Sequence, residues 1–265
     1  MTLKRSLSLL VVTAAICAMG SVTAIAGGIK FGVAAEPYPP YASKDATGVW
    51  VGWEIDLMNA LCAAMKEECE LTEVAWDGII PALTSKKIDV IFASMSITDE
   101  RRKTINFSTW YYNTAIGLIG AKNGDLDISP AHLAGKIIGA QVSTINEKYV
   151  TKYFVPAGAE LKTYATLDEA DNDLSAGRLD YVQADSTALN AFLASTPGIC
   201  CELKGLVPGD QEVLGYGSGA GIRKDDTALL DKINAGLADL AKADAFDQLV
   251  AKYPELKGQI LVPQP

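Results

Sequence analysis

Histidine is the scarcest catalytic residue type in this 265-residue chain, since His132 is the only one. A single imidazole excludes histidine-rich metal sites and argues against Ser-His-Asp or Cys-His catalysis. Basic residues are also in deficit, because 23 lysines and arginines face 32 aspartates and glutamates, giving a formal net charge of −9. Nucleic acids and anionic membranes attract proteins through cationic surfaces. We therefore expect neither to be the main partner.

Long apolar runs and phosphate-binding motifs are missing as well. After residue 26 no segment approaches the roughly 20 apolar residues that span a bilayer. No G-x-x-x-x-G-K-[ST] motif occurs, and the glycine run at 215–221 is not followed by an amphipathic helix. Glycine at alternate positions favours an extended strand that another backbone approaches closely. We accordingly predict no cofactor and no metal.

The first 26 residues have the layout of an export signal. Lys4 and Arg5 precede the apolar stretch at 7–19, and Ala24-Ile25-Ala26 offers the small-x-small pattern of a cleavage site. An uncleaved N-terminal anchor is the alternative. We expect residues 1–26 to be a signal peptide that is removed after Ala26, which places the mature protein in the periplasm.

Export changes how the cysteines are interpreted. Four follow the signal, namely Cys62, Cys69, Cys200 and Cys201, and an even number in an exported chain favours disulfides over metal binding. Cys62 and Cys69 stand across a predicted helix end and strand start, a plausible span for a short bridge. The adjacent Cys200 and Cys201 are either two buried thiols or an unusual vicinal disulfide.

Short apolar runs alternate with amphipathic segments along the whole chain. This alternation predicts an α/β architecture with parallel sheets, and the length favours two such units joined by strands rather than by a flexible linker. Predicted strands are 29–33, 71–74, 88–93, 116–119, 137–140, 161–164 and 179–182. Predicted helices are 54–65, 78–84, 144–154, 167–176, 187–194, 228–241 and 245–252.

Four places at predicted element ends carry residues that suit a ligand. They are the proline-stiffened loop with Glu36 and Tyr38, the turn at Trp76, the segment from Ser94 through Ser96 to Arg101, and the segment Gln141, Ser143 and Thr144 followed later by Asp185. Structural roles compete at each of them. Both aromatic residues suit a core, Arg101 suits a surface ion pair beside a helix capped by Thr98, and Asp185 suits a helix cap.

Taken together, these places favour a binding cleft. Ligands of open α/β sheets bind beyond the carboxyl ends of the strands. Arg101 and Asp185 would face each other there from different lobes, and a cation opposite an anion suits a zwitterion. A free α-amino acid is such a ligand.

An ordered set of motifs resembles the family 3 periplasmic solute-binding proteins, the polar amino-acid receptors of ABC importers. Within that family the chain is most similar to the lysine/arginine/ornithine, histidine and opine-binding branch. The motifs are Tyr38-Pro-Pro-Tyr41, Gly52-Trp53-Glu54-Ile55-Asp56-Leu57, Trp76-Asp-Gly-Ile-Ile-Pro-Ala-Leu83, Ser94-Met-Ser-Ile-Thr98 with Arg101, Phe107-Ser108 with Tyr111-Tyr112, and Ala176-Gly-Arg-Leu-Asp180.

The resemblance implies a two-lobed clamshell, the type II periplasmic-binding-protein fold, with two strand crossovers as its hinge. Residues 27–114 and 216–265 would form one lobe and residues 115–215 the other. It also implies a disulfide between Cys62 and Cys69, a monomer, and ABC permease subunits as membrane partners. The expected activity is capture of a polar, cationic L-amino acid or an opine, without catalysis.

Position by position, the resemblance assigns roles to the cleft residues. Arg101 would clamp the ligand α-carboxylate, helped by Ser96 and main-chain donors near Thr144. Asp185 would accept from the α-ammonium, helped by Ser94. The remaining residues would surround the ligand side chain: Tyr38 and Trp76 as a sandwich, with Gln141 and Ser143 lining the second lobe.

Two departures affect the expected specificity. Relatives that bind cationic side chains carry an acid where Ala35 stands, although Glu36 follows directly and would serve as counter-charge if the loop is rearranged. Ala93 replaces a serine that reaches the ligand side chain in relatives.

Two other functions remain open. One is a periplasmic dehydratase of cyclohexadienyl type, with Asp185 or Glu36 as general acid, and the other is a ligand sensor for a membrane receptor.

Overall fold

The computed structural model describes residues 27–264, so the predicted signal peptide at 1–26 lies outside the described residues. Its strands are β1 (Ile29–Ala34), β2 (Ser43–Lys44), β3 (Trp50–Val51), β4 (Cys69–Val74), β5 (Val90–Ile91), β6 (Asn106–Thr114), β7 (Ile116–Ala121), β8 (Ile137–Gln141), β9 (Glu160–Tyr164), β10 (Tyr181–Asp185), β11 (Cys201–Leu206), β12 (Ser218–Ile222) and β13 (Ile260–Leu261). Its α-helices are α1 (Trp53–Met65), α2 (Ile79–Thr84), α3 (Asp99–Thr104), α4 (Ile145–Tyr149), α5 (Leu167–Ser175), α6 (Ser186–Leu193), α7 (Gln211–Leu214), α8 (Thr227–Lys242) and α9 (Ala245–Val250).

The first sheet has the strand order β13-β6-β12-β5-β1-β4. Strands β4, β1 and β5 are parallel, whereas β12 runs antiparallel to both β5 and β6. Apolar side chains of α1, α8 and α9 cover one face, where Phe31 and Trp53 are fully buried. Helix α2 covers the other face through Ile79 and Leu83. Residues 31–33 of β1 and both residues of β5 are therefore buried, as expected of central strands in a covered parallel sheet.

The second sheet has the order β11-β7-β10-β8-β9. Strands β10, β8 and β9 are parallel, and β7 is antiparallel to β10 and β11. Helix α4 packs on one face through Ile145 and Tyr149. Helices α5 and α6 pack on the other through Leu174 and Leu189. The α/β fold class with two sheets, which the alternation of elements predicts, is confirmed.

The chain passes between the two sheets twice. It leaves the first sheet at Thr114 and enters the second at Ile116, then leaves the second at Leu206 and returns at Ser218. The returning strand β12 is the predicted glycine-rich strand. A Cβ added at Gly219 would lie 2.7 Å from the Ile97 side chain and 3.4 Å from the Ser108 backbone oxygen. A larger residue at this position would therefore have to displace the buried Ile97 side chain.

Several predicted elements differ in detail. The helix expected at 144–154 is α4 followed by a wider turn of π type at Val150–Phe154. The expected strand at 88–93 is reduced to β5. A disulfide joins Cys62 to Cys69, as expected. Cys200 and Cys201 form a vicinal disulfide and are not two buried thiols. Among residues 27–264, no helix is both long and apolar enough to cross a membrane.

Candidate functional site

A cavity lies between the two sheets, beyond the carboxyl ends of β1, β5, β8 and β10. Parallel strands end at the same edge of their sheet, so each sheet delivers several loops to this point. All the ligand residues expected from the sequence except Ser143 line the cavity: Glu36, Tyr38, Trp76, Ala93, Ser94, Ser96, Arg101, Gln141, Thr144 and Asp185.

Arg101 reaches the cavity from the start of α3. Thr98 caps this helix as predicted, since its hydroxyl accepts the Arg101 backbone N–H at 3.2 Å. The guanidinium is buried and donates to the carbonyls of Ser96, at 2.9 Å, and Ser143, at 3.0 Å, the latter on the far side of the cavity. Burial lowers the pKa of Arg101 to about 10. The group stays cationic, and its remaining N–H groups are available to a carboxylate.

Asp185 ends β10 and occupies the N-cap position of α6, yet its side chain makes no capping hydrogen bond. The helix-cap alternative is therefore wrong, and the buried carboxylate borders the cavity. Burial raises the pKa of Asp185 to about 6, hydrogen bonds from Tyr38 and Asn146 oppose that rise, and the charge of Glu54 adds to it. A carboxylate in this environment gains from a cationic partner.

Glu36 and Trp76 are joined at the rim of the cavity. One Glu36 oxygen, Oε2, accepts the Trp76 backbone N–H at 3.0 Å. The Trp76 indole N–H donates to the Val142 carbonyl at 3.1 Å, across the cavity. The Trp76 ring also lies 5.5 Å from the Arg101 guanidinium carbon. Glu36 stands one residue after the position, Ala35, at which relatives would carry an acid. Its side chain nevertheless borders the cavity.

The side chains of Thr144 and Gln141 at the cavity are already held by hydrogen bonds. Thr144 caps α4, with its Oγ1 donating to the Gln141 carbonyl at 2.7 Å and accepting the Glu147 N–H at 3.2 Å. The Gln141 side chain donates to the Ala165 carbonyl at 3.0 Å. Because the Thr144 hydroxyl caps α4, the polar groups that this segment offers to the cavity are mainly those of the main chain at the start of α4.

Three polar lining residues were not expected from the sequence, namely Glu54, Asn146 and Gln183. Asn146 Oδ1 and Gln183 Oε1 are buried without a hydrogen-bond partner, and the Gln183 amide nitrogen donates to the Asn146 carbonyl at 3.4 Å. A glutamine inside an otherwise apolar strand is a signal that could have identified Gln183. Within residues 27–264 no group of three or more His, Cys, Asp or Glu is placed to hold a metal ion.

Comparisons with known proteins agree with this geometry. The profile of the family "Bacterial extracellular solute-binding proteins, family 3" matches residues 29–255. The L-arginine-binding protein of Pseudomonas aeruginosa is 37% identical over 85% of this chain and 87% of its own length. The histidine-binding periplasmic protein of Salmonella typhimurium is 34% identical over 94% of this chain and 96% of its own length.

A solved structure shows the same fold. An ancestral arginine-binding protein bound to arginine superposes with a TM-score of 0.78 at 32% identity, covering 85% of this chain and 97% of that chain. These relatives are named as binding proteins, so the expectation of an amino-acid binder rather than an enzyme is confirmed. The chain belongs to the bacterial extracellular solute-binding proteins of family 3.

Proposed function

We propose that the protein is the periplasmic receptor of an ABC importer and that it captures a cationic L-amino acid. The charge of the cavity carries this proposal. Three carboxylates, Glu36, Glu54 and Asp185, line it together with a single guanidinium, that of Arg101. With all four ionised, these groups leave an excess of negative charge around the ligand. A ligand of net charge +1 reduces that excess, whereas a neutral zwitterion does not.

Arg101 and Asp185 would bind the two ends of the α-amino acid. Arg101 has five N–H donors, of which the Ser96 and Ser143 carbonyls take two, so it can still grip an α-carboxylate. Ser96 and the main chain near Thr144 would assist. Asp185 would accept from the α-ammonium, helped by Ser94, and this contact recovers part of the free energy lost by burying the charge of Asp185.

The ligand side chain would lie between the rings of Tyr38 and Trp76, with Gln141 and the small Ala93 beside it. Glu36 would be the counter-charge, since only its Oε2 is held, by the Trp76 N–H. Aromatic faces attract cations, and more strongly when water is excluded. A guanidinium or ammonium at the end of an aliphatic chain fits this environment.

Ligand capture would close two lobes, formed by residues 27–114 with 216–265 and by residues 115–215. The two crossovers, at Ala115 and between Leu206 and Ser218, would be the hinge. Contacts made only in the closed form bias the equilibrium toward closure. We infer that the secreted chain, cleaved after Ala26, acts as a monomer and presents its closed form to the permease.

Calorimetric titration with L-arginine and L-citrulline tests the ligand class, because citrulline is a neutral near-isostere of arginine. We expect arginine to bind at least about tenfold more tightly, the difference that one charge-assisted hydrogen bond provides. Glu36→Gln should reduce that preference. Glu73→Gln, on an exposed carboxylate paired with Lys44 away from the cavity, is the matched control and should keep it.

Equal or better binding of citrulline would contradict a cationic ligand. A panel that adds lysine, ornithine, histidine and octopine identifies the preferred member and includes the opine class. Deleting the gene should abolish uptake of the preferred amino acid. Normal uptake with a lost signalling response would instead identify a sensor.

A further inference from the structure

One carboxylate supports the cavity wall from behind. Glu54, near the start of α1, is 1% exposed and borders the cavity. Its Oε1 accepts the Ser94 backbone N–H at 2.7 Å and also accepts the Tyr111 hydroxyl. Its Oε2 accepts the Ser94 hydroxyl at 2.8 Å. Helix α1, strand β6 and the segment after β5 are thereby tied to one buried carboxyl group.

These contacts fix the direction of the Ser94 hydroxyl. Burial raises the pKa of Glu54, but the three donors around its carboxyl group oppose that rise and favour the ionised form, which has only acceptors. The Ser94 hydroxyl hydrogen must then point at Glu54, which leaves only lone pairs on Oγ toward a ligand. Ser94 has a φ of 53°, a left-handed conformation that its two hydrogen bonds to Glu54 help to hold. Toward the cavity, the Ser94 hydroxyl therefore acts only as a hydrogen-bond acceptor and not as a donor.

We propose that Glu54 is a positioning residue for ligand selectivity: by holding Ser94 as an acceptor, it selects an α-ammonium over an α-hydroxyl group. This rests on the proposed function, in which Ser94 and Asp185 face the α-substituent of the ligand. A primary ammonium has three N–H donors and satisfies both acceptors. A hydroxyl has one donor and leaves one of the two acceptors unpaired, which is unfavourable in a buried site.

The variant Glu54→Gln reverses the direction of the hydrogen bond between residue 54 and the Ser94 hydroxyl, with almost no change in side-chain shape. Its amide oxygen must remain with the Ser94 N–H and the Tyr111 hydroxyl, since both donate. The amide NH₂ then donates to Ser94 Oγ and turns the serine hydroxyl toward the cavity, where it opposes an ammonium. Titration calorimetry with L-arginine and with its 2-hydroxy analogue measures the consequence. We expect arginine affinity to fall about 10- to 100-fold while the hydroxy acid is little affected.

Tyr111→Phe is the matched control, because it removes one donor from Glu54 and leaves the Ser94–Glu54 pair intact. It should keep the wild-type ratio of the two affinities. An unchanged ratio in Glu54→Gln, or equal weakening of both ligands, would overturn the proposal and leave Glu54 a structural role only. If wild-type protein fails to bind L-arginine, the proposed function is overturned, and this proposal with it.

A second variant covers the case in which Glu54→Gln does not fold. Ser94→Ala keeps the carboxylate of Glu54 and removes the acceptor itself. The arginine preference over the hydroxy acid should fall by about tenfold or more. The same preference in a folded Ser94→Ala protein would show that Ser94 does not read the α-substituent and would overturn the proposal.

Discussion

At the scale of single residues, Asp185 faces the cavity, and burying its ionised carboxyl group lowers the stability of the folded protein. Folding raises the pKa of its carboxyl from 3.8 to about 6, chiefly through burial. An acid whose pKa rises on folding disfavours the folded state when it is ionised. That cost is absent below about pH 4, grows between pH 4 and 6, and is complete above pH 6. At neutral pH the free protein therefore carries it in full.

Asp185→Asn should separate stability from binding. We expect the free energy of unfolding at pH 7 to rise by up to about 3 kcal/mol, since one pKa unit corresponds to about 1.4 kcal/mol. Affinity for L-arginine should fall about 100-fold or more, because the ammonium loses a charged acceptor. Urea unfolding and calorimetry measure the two effects. A variant that is less stable at pH 7 yet binds normally would contradict both assignments.

The pH dependence of binding provides a second measurement on Asp185. Wild-type affinity for L-arginine should decline about tenfold from pH 7 to pH 5, as the carboxylate with its pKa near 6 becomes protonated. Tyr38 and Tyr41 face this group and stay neutral, since burial raises the pKa of both hydroxyls. Glu36 and Glu54 are the other acids that line the cavity, and Asp185→Asn separates the contribution of Asp185 from theirs. A profile equally steep in that variant would exclude Asp185 as the titrating group.

Sequence reasoning could place Arg101 and Asp185 because each follows a recognisable strand end, where chain direction alone determines the edge of the sheet. It could not place Glu54. An acid in the first turn of a helix normally faces solvent and the helix dipole, and only packing against Ser94 and Tyr111 buries it. Gln183 carried a signal, a polar side chain inside an apolar strand, but only tertiary packing decides that such a residue reaches the cavity.

At the scale of elements, α5 carries a further buried acid. Asp171 is 4% exposed, and its Oδ1 has no hydrogen-bond partner. Burial, with a smaller effect from the charge of Asp168, raises the pKa of Asp171 to about 8. The carboxyl group also borders a cavity near Pro37 and Pro197. Ionising this side chain therefore opposes the packing of α5.

Asp171→Asn should stabilise the protein at high pH and have little effect at low pH. The ionisation cost is absent below about pH 4 and complete above pH 8, so the gain in unfolding free energy should exceed about 2 kcal/mol at pH 9. Thermal and urea unfolding at pH 5 and pH 9 measure it. The exposed Asp231→Asn on α8 removes the same charge and should show no such difference. Equal effects of the two variants would mean that Asp171 is already solvated.

Element prediction succeeded where apolar periodicity was strong and failed where it was not. The short apolar runs at 29–33 and 137–140 identified β1 and β8 to within a residue or two. Strand β6 was missed because Asn106–Thr114 mixes polar and aromatic residues, and its partners β12 and β13 are remote in the sequence. Sheet pairing of this kind depends on distant segments, which a local pattern does not record.

At the scale of the whole molecule, several hydrogen bonds connect residues 27–114 with residues 115–215. The Trp76 indole donates to Val142, Arg101 donates to Ser143, and the Tyr41 hydroxyl lies 2.8 Å from Thr187 Oγ1. Two of these contacts involve residues to which we assign the ligand. In the proposed mechanism, ligand binding and lobe closure would therefore use the same side chains, and a ligand that bridges Arg101 to Asp185 would add its own free energy to these contacts.

Closure should be visible in solution. We expect saturating L-arginine to lower the radius of gyration of wild-type protein in small-angle X-ray scattering. At 100 times the dissociation constant, it should raise the unfolding free energy by about 2.7 kcal/mol. Trp76→Phe keeps a ring but loses the N–H to Val142, so it should still contract. Arg101→Ala loses both the carboxylate clamp and the bond to Ser143, so it should neither contract nor gain stability. Contraction of Arg101→Ala to the wild-type extent would show that closure does not depend on the ligand contacts assigned here, and the hinge would then need another driving force.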